Sequence, residues 1–457
     1  MMELQLPPLT WRTVVWVLLA LVVLYLLRAF GYRFSRVVGL FVLAGQLPGD
    51  VPQFVDDLAA EPRETFGALT RAEVLHFLKC AWWSPQKMTI IGHDETLVRL
   101  RRLRERFEQE GWLQVTITTR DKVALDGCIL PPPRGVGKQR WVLFMNANMQ
   151  KYEEWLFYFH RYAKDLGVGM LVFNWRGVGH SQGAAISMAD LVRDGQAALQ
   201  FLVDREVHPA NILVHGLSIG ACVAATVRAK DKVAHQGPVL LDRPFSTLAA
   251  VLKGYEAFAM EGQLRQASGC KRALAQCGLG FLAELVGWIL LFTGWQGRTL
   301  RHFRRIKAAR IVTYHRKDNI IHIDKASLYQ ALVNTYKEPP SGPAQAGLAR
   351  QWTMSNMQAT AAVRWYAVEL ATNQEEWLPH DMPLYLDSSY AQITELVRRA
   401  LGMGDDSAGD GAGLSDEEGG EGAHTQTVAD HARSVLLGRP GGGGSDAATN
   451  GAYTRML

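Results

Sequence analysis

The segment Asn211-Ile212-Leu213-Val214-His215 is a short apolar run that breaks straight into Gly216-Leu217-Ser218-Ile219-Gly220. It then resumes as Ala221-Cys222-Val223-Ala224-Ala225-Thr226-Val227. The pattern predicts a buried strand, a sharp turn carrying a serine, and a helix, which is the context that gives Gly-x-Ser-x-Gly chemical meaning. A serine on such a turn holds a strained backbone, and glycines two residues to either side let the chain pass close by without a Cβ clash. The strain lifts the Ser218 oxygen above the sheet. The competing interpretation is a glycine-flanked serine in an ordinary turn.

The rest of the chain fits a strand-turn-helix origin for that motif. Val115 to Thr119 and Val123 to Leu130 form a hairpin signature around Arg120-Asp121-Lys122. After Pro131-Pro132-Pro133, strands and helices alternate. Strands are expected at 141–145, 169–174, 211–215, 238–241, 310–314 and 363–370, and helices at 153–166 and 190–204. Such alternation implies a mostly parallel sheet with helices on both faces. Between Ser246 and Arg305 it stops, and apolar helical segments such as Phe281 to Trp295 take over. An insertion there would cover the upper edge of the sheet as a lid.

Thr13 to Leu27 is an uncharged run of fifteen residues between Arg12 and Arg28. At about 1.5 Å per residue it reaches roughly 22 Å, short of a ~30 Å hydrocarbon core unless it extends to Leu9 and Phe30 with both arginines snorkelling. The expectation is a single-pass membrane anchor. Arg28, Arg33 and Arg36 on its C-terminal side favour a cytosolic position for the domain beyond them. A signal peptide and a buried core helix are the alternatives. Residues 1–49 are thus assigned to the anchor, 50–112 to a charged helical connector, 113–400 to the α/β domain with its lid at about 246–305, and 401–457 to a Gly-rich tail expected to be disordered.

From Leu401 on there are nine acidic and three basic residues, so the first 400 carry +11 of the overall +5. A basic body suits anionic lipid better than nucleic acid, because no basic stripe interleaves with aromatics. Five cysteines without close spacing fit neither a metal site nor a disulfide framework.

Phe173-Asn174-Trp175-Arg176-Gly177-Val178-Gly179-His180-Ser181, His215 to Gly220, and Asp242-Arg243-Pro244-Phe245-Ser246 resemble the ABHD-type serine hydrolases and the bacterial CHLPS-type hydrolases, within the α/β-hydrolase fold. The resemblance implies a Ser–Asp–His triad that hydrolyses esters, thioesters or amides without metal or organic cofactor. Asp318, after the strand following the lid, is then the expected acid, although an aspartate there also suits a helix N-cap; Asp242 is the reserve. The base must follow the acid. His424 and His431 lie in the tail and His322 is too close to Asp318 in sequence, which leaves His380. The oxyanion hole would use the amides of Ile219 and Asn148, with Met149 as a second option. Asn146-Ala147-Asn148 stands where the family often has His-Gly, which puts the loop conformation in question. Arg176-Gly177-Val178-Gly179 reads as a loop lining the site rather than a phosphate cradle. The expected substrates are acyl lipids or acylated proteins near a membrane. A catalytically silent, membrane-tethered scaffold is the reading from another class, and a peptidase on the same triad is a third.

Overall fold

Runs rich in Val, Ile, Leu and Phe, four to seven residues long, are interrupted by amphipathic stretches of helical period, and the chain pairs those runs into one sheet. The computed structural model describes residues 11–42, 93–133, 139–148, 150–231, 237–261, 269–336, 365–371 and 378–403. The strands are β1 (Leu113–Thr118), β2 (Ala124–Leu130), β3 (Trp141–Met145), β4 (Gly169–Phe173), β5 (Ile212–Leu217), β6 (Val239–Asp242), β7 (Arg310–His315) and β8 (Trp365–Leu370). They lie in the order β1-β2-β4-β3-β5-β6-β7-β8. β1 and β2 form the expected antiparallel hairpin, β2 runs antiparallel to β4, and every pair from β4 to β8 is parallel. β3 to β7 are buried along their whole length, as parallel strands covered on both faces must be.

The helices are α1 (Trp11–Val42), α2 (His93–Glu108), α3 (Leu156–Leu166), α4 (Met188–Val203), α5 (Ile219–Lys230), α6 (Leu248–Glu261), α7 (Gly269–Phe292), α8 (Thr299–Phe303), α9 (Leu328–Tyr336) and α10 (Tyr390–Ala400). α3 and α10 cover one face. There Phe144 packs on Phe159 at 4.6 Å between ring centroids, within a cluster that also holds Leu213, Ile311, Val368, Ile393 and Val397. Truncating a buried Phe such as Phe159 to Ala costs about 3–5 kcal/mol. α4, α5 and α8 cover the other face.

One expected boundary moves for a local reason, and one helix lies where none is expected. The helix expected at Glu153 starts as a 3-10 turn, Tyr152–Trp155. There Asn174 accepts the Tyr152 amide on Oδ1 and donates from Nδ2 to Glu153, drawing the turn onto β4. Past Leu370 no helix is expected from sequence, yet α10 lies there with a strongly one-sided apolar face.

α6, α7 and α8 fill the insertion between β6 and β7. α1 continues unbroken past the apolar run at Thr13 to Leu27, and near its end Trp295 donates to the Ser35 carbonyl at 3.4 Å, tying α1 to the segment after α7. Among the described residues no helix is long and apolar enough to cross a membrane. Most of the Thr13 to Leu27 run expected to span a membrane falls on α1 side chains before Val22, which lie outside the described residues. So do residues 43–92, which take in the end of the expected anchor and most of the expected connector, and the tail from residue 404 on.

Candidate active site

β5 ends at Leu217 and α5 begins at Ile219, so a single residue makes the turn. That residue, Ser218, sits at φ 55° and ψ −114°, a conformation a residue with a Cβ enters only under constraint. Its amide is tied to the Asp242 carbonyl at 2.9 Å. The flanking glycines are required by space. A Cβ on Gly216 would meet the Gly220 carbonyl oxygen at 2.3 Å, and one on Gly220 would meet the Met145 oxygen at 2.1 Å. The elbow is therefore pressed against the end of β3, where the loop expected to supply the second oxyanion amide begins.

Asp318 lies three residues beyond β7 and His380 on the loop after β8. The structure brings them together: His380 Nδ1 is 2.8 Å from Asp318 Oδ2 and 3.1 Å from Oδ1. Asp318 Oδ1 also accepts the amides of Ile320 and Ile321 at 2.8 and 2.7 Å. No helix begins at Asp318, so the carboxylate closes a turn, and the helix N-cap that the sequence sets against a catalytic role is not formed. Burial alone would raise the Asp318 pKa, but His380 and these two amides outweigh it and hold it below the ordinary value. The His380 amide donates to Asn319 Oδ1 at 3.1 Å, a contact that sequence reasoning does not anticipate. With Nδ1 committed to Asp318, Nε2 is the nitrogen that remains to serve as a base.

The alternatives take other places. His322 is buried; its Nδ1 accepts the Asp324 amide at 3.3 Å and its carbonyl takes the amides of Ala326 and Ser327. Asp242 is chelated by Arg243, with Arg243 Nε to Oδ1 at 2.9 Å and Nη2 to Oδ2 at 2.8 Å, and it accepts Thr313 Oγ1 at 2.5 Å. His215 Nε2 stands 3.9 Å from Asp242, too far for a hydrogen bond, and burial holds that imidazole neutral.

On the oxyanion side Ile219 opens α5 and is buried, while Asn148 is exposed on the loop after β3. Met149 lies outside the described residues. The Ala147 amide is already taken by Gln150 Oε1 at 2.8 Å, so Gln150 holds the loop where the family often has glycine. Below it Asn146 donates to the Phe173 carbonyl at 2.9 Å and Trp175 Nε1 to the Asn146 carbonyl at 3.1 Å. Arg176 turns inward to Asp194 and Asp121, each at 2.7 Å. Its guanidinium braces the strand-to-helix connection and is not presented to an anion.

Residues 81–251 match the family described as Chlamydia CHLPS protein (DUF818), a span that includes Ser218 and Asp242-Arg243 and ends before Asp318 and His380. The multifunctional-autoprocessing repeats-in-toxin protein of Vibrio cholerae is 32% identical over 119 residues, 25% of this chain and 3% of the toxin. Protein bem46 of Schizosaccharomyces pombe is 29% identical over 120 residues, 26% of this chain and 40% of bem46. The chain thus spans well under two thirds of the length of these curated relatives. Among solved structures, a Pyrococcus furiosus esterase aligns with a TM-score of 0.41 at 16% identity, covering 64% of this chain and 91% of its own. An alpha-beta hydrolase from Vibrio vulnificus aligns with a TM-score of 0.36 at 22% identity, covering 48% and 69%. The chain resembles the α/β hydrolases, and within them the CHLPS type.

Proposed function

We propose that the chain is a membrane-associated serine hydrolase that cleaves acyl esters or thioesters through an acyl-enzyme. The observation that carries this reading is the buried Asp318–His380 pair at 2.8 Å, on the same sheet edge as the strained Ser218 elbow. His380 Nε2 takes the proton of Ser218 Oγ as that oxygen attacks the acyl carbonyl. Asp318 holds the imidazole in the required tautomer and stabilises the imidazolium. The Ile219 and Asn148 amides receive the developing oxyanion. Collapse expels the alcohol or thiol with the proton from His380. Water, deprotonated by the same histidine, then frees the acid.

Acylated substrates near a bilayer are supported by the inserted helices, read here as a lid. α7 exposes Phe281, Leu282, Leu285, Trp288, Leu291 and Phe292, with Phe281 at 73% and Phe292 at 80% of full exposure. α1 likewise exposes Val22, Val23, Leu26 and Leu27, and its trailing arginines support a domain facing the cytosol. Between α6 and α7 runs an open cleft of about 310 Å³ lined by Ala249, Ala250, Ala283, Gly287, Trp288 and Leu291. It lies among the lid helices, and no triad residue lines it.

A fluorophosphonate probe tests the reading on the full-length protein. Labelling that is lost in Ser218→Ala and His380→Ala supports it. A wild-type protein that resists the probe favours the silent scaffold, for which the departure at Asn146-Ala147-Asn148 is the motive.

A further inference from the structure

Asp242-Arg243 touches both halves of the site and belongs to neither. The Asp242 carbonyl accepts the Ser218 amide at 2.9 Å, and the register of β5 and β6 sets Asp242 beside Leu217. The Asp242 carboxylate is fixed from below by Thr313 of β7 and chelated by Nε and Nη2 of Arg243. The remaining nitrogen, Nη1, donates to the Pro379 carbonyl and to the Met382 carbonyl, each at 2.8 Å. Those two carbonyls bracket His380. Four of the five guanidinium N–H groups are thereby used inside the fold, and Arg243 is 2% exposed.

The backbone at Arg243 is left-handed, φ 44°, and its amide is held by Thr313. A residue with a side chain holds the left-handed region only when its surroundings over-determine it. Here the gain is direction: the planar fork reaches the carboxylate behind it and the loop carbonyls ahead of it in one rigid piece.

We propose that Arg243 is a positioning residue for the general base: with Asp242 it forms a rigid link from the Ser218 amide to the His380 loop and sets the separation of nucleophile and base. This rests on the Ser218–His380–Asp318 reading above. Lysine cannot replace it, because one ammonium cannot chelate Asp242 and hold two carbonyls at once.

The test uses full-length protein in detergent, with p-nitrophenyl butyrate for turnover and a fluorophosphonate for the labelling rate. Arg243→Lys is compared with the charge-balanced Asp242→Asn/Arg243→Met, which keeps the test open should the lysine variant fail to fold. The expected result is a kcat lowered tenfold or more per folded molecule, a KM within about twofold of wild type, and slower labelling of Ser218. The acid limb of kcat/KM, which reports the free-enzyme base, is expected to move by half a unit or more. A folded variant with wild-type kcat and an unmoved acid limb overturns the proposal, as does a loss of activity wholly accounted for by a smaller folded fraction. Ser218→Ala and His380→Ala separate the two readings. If those are inactive while both Arg243 variants turn over normally, the link fails and the triad stands; if they remain active, the triad reading fails.

Discussion

Asp318 and His380 meet at 2.8 Å although 62 residues of chain separate them, and the same carboxylate caps the turn that holds it in place. Asp318→Asn keeps an oxygen for the Ile320 and Ile321 amides but cannot fix the imidazole tautomer. We expect kcat to fall by on the order of 10³–10⁴ with circular dichroism unchanged. Full activity in a folded Asp318→Asn would remove it from the machinery.

The depressed Asp318 pKa gives that carboxylate a signature in stability. A carboxyl whose folded pKa lies below its unfolded one stabilises the fold above the ordinary carboxylate range and loses that contribution as pH falls through the folded value. Asp318→Asn should therefore lose less stability on acidification than wild type. Denaturant titrations at neutral pH and in the acid range measure the difference.

Glu153 behaves in the opposite sense. It is buried, with Asp126 nearby, and its pKa is raised to about 8, chiefly by burial. The neutral form then carries no penalty below the ordinary value; the cost grows as pH rises from there towards about 8 and is complete above it. Glu153→Gln preserves the acceptor for Asn174 Nδ2. Its melting temperature should lie closest to wild type below the ordinary carboxylate value and exceed it most near pH 9. Parallel melting curves across that range would rule this out.

Ser218 stores strain that glycine would release. Ser218→Gly should abolish probe labelling and stabilise the fold by about 1 kcal/mol, within the range for left-handed non-glycine residues. Ser218→Ala should be equally inactive without that gain, because its Cβ remains. Thermal melts of the two variants, side by side, decide it.

His380→Ala should lose turnover, whereas His322→Ala should keep it and lose only local stability through the cap at Asp324. Turnover on p-nitrophenyl butyrate is the measure. An inactive, folded His322→Ala beside an active His380→Ala would reassign the base.

What the sequence made legible was whatever local chemistry determines. The elbow at Ser218, the hairpin from Val115 to Leu130 and the alternation of strands and helices each arise from short-range pattern, and each is present. Asp318 and His380 were reachable because the α/β hydrolases that the motifs resemble order their triad along the chain. The Gln150 contact to the Ala147 amide, the Asn319 contact to the His380 amide and the inward turn of Arg176 were not legible. They depend on which loops face one another, and no periodicity records that. Asp242 shows the same limit, since its carboxylate is a plausible acid by position until Arg243 is seen to chelate it. The apolar run in α1 was legible as apolar, but hydropathy alone does not show that the helix runs on to meet Trp295.

The bond from Trp295 to Ser35 changes what kind of attachment α1 can provide. A slack tether lets a catalytic domain tumble and sample the volume around its anchor. A helix joined to the segment between α7 and α8 acts as a bracket. Under the membrane-associated reading, such a bracket would present the same side of the molecule to the lipid throughout. Encounter with substrate then becomes a search in the plane of the bilayer, and a molecule that diffuses sideways beneath the inserted helices would meet the enzyme more often than one arriving from bulk water.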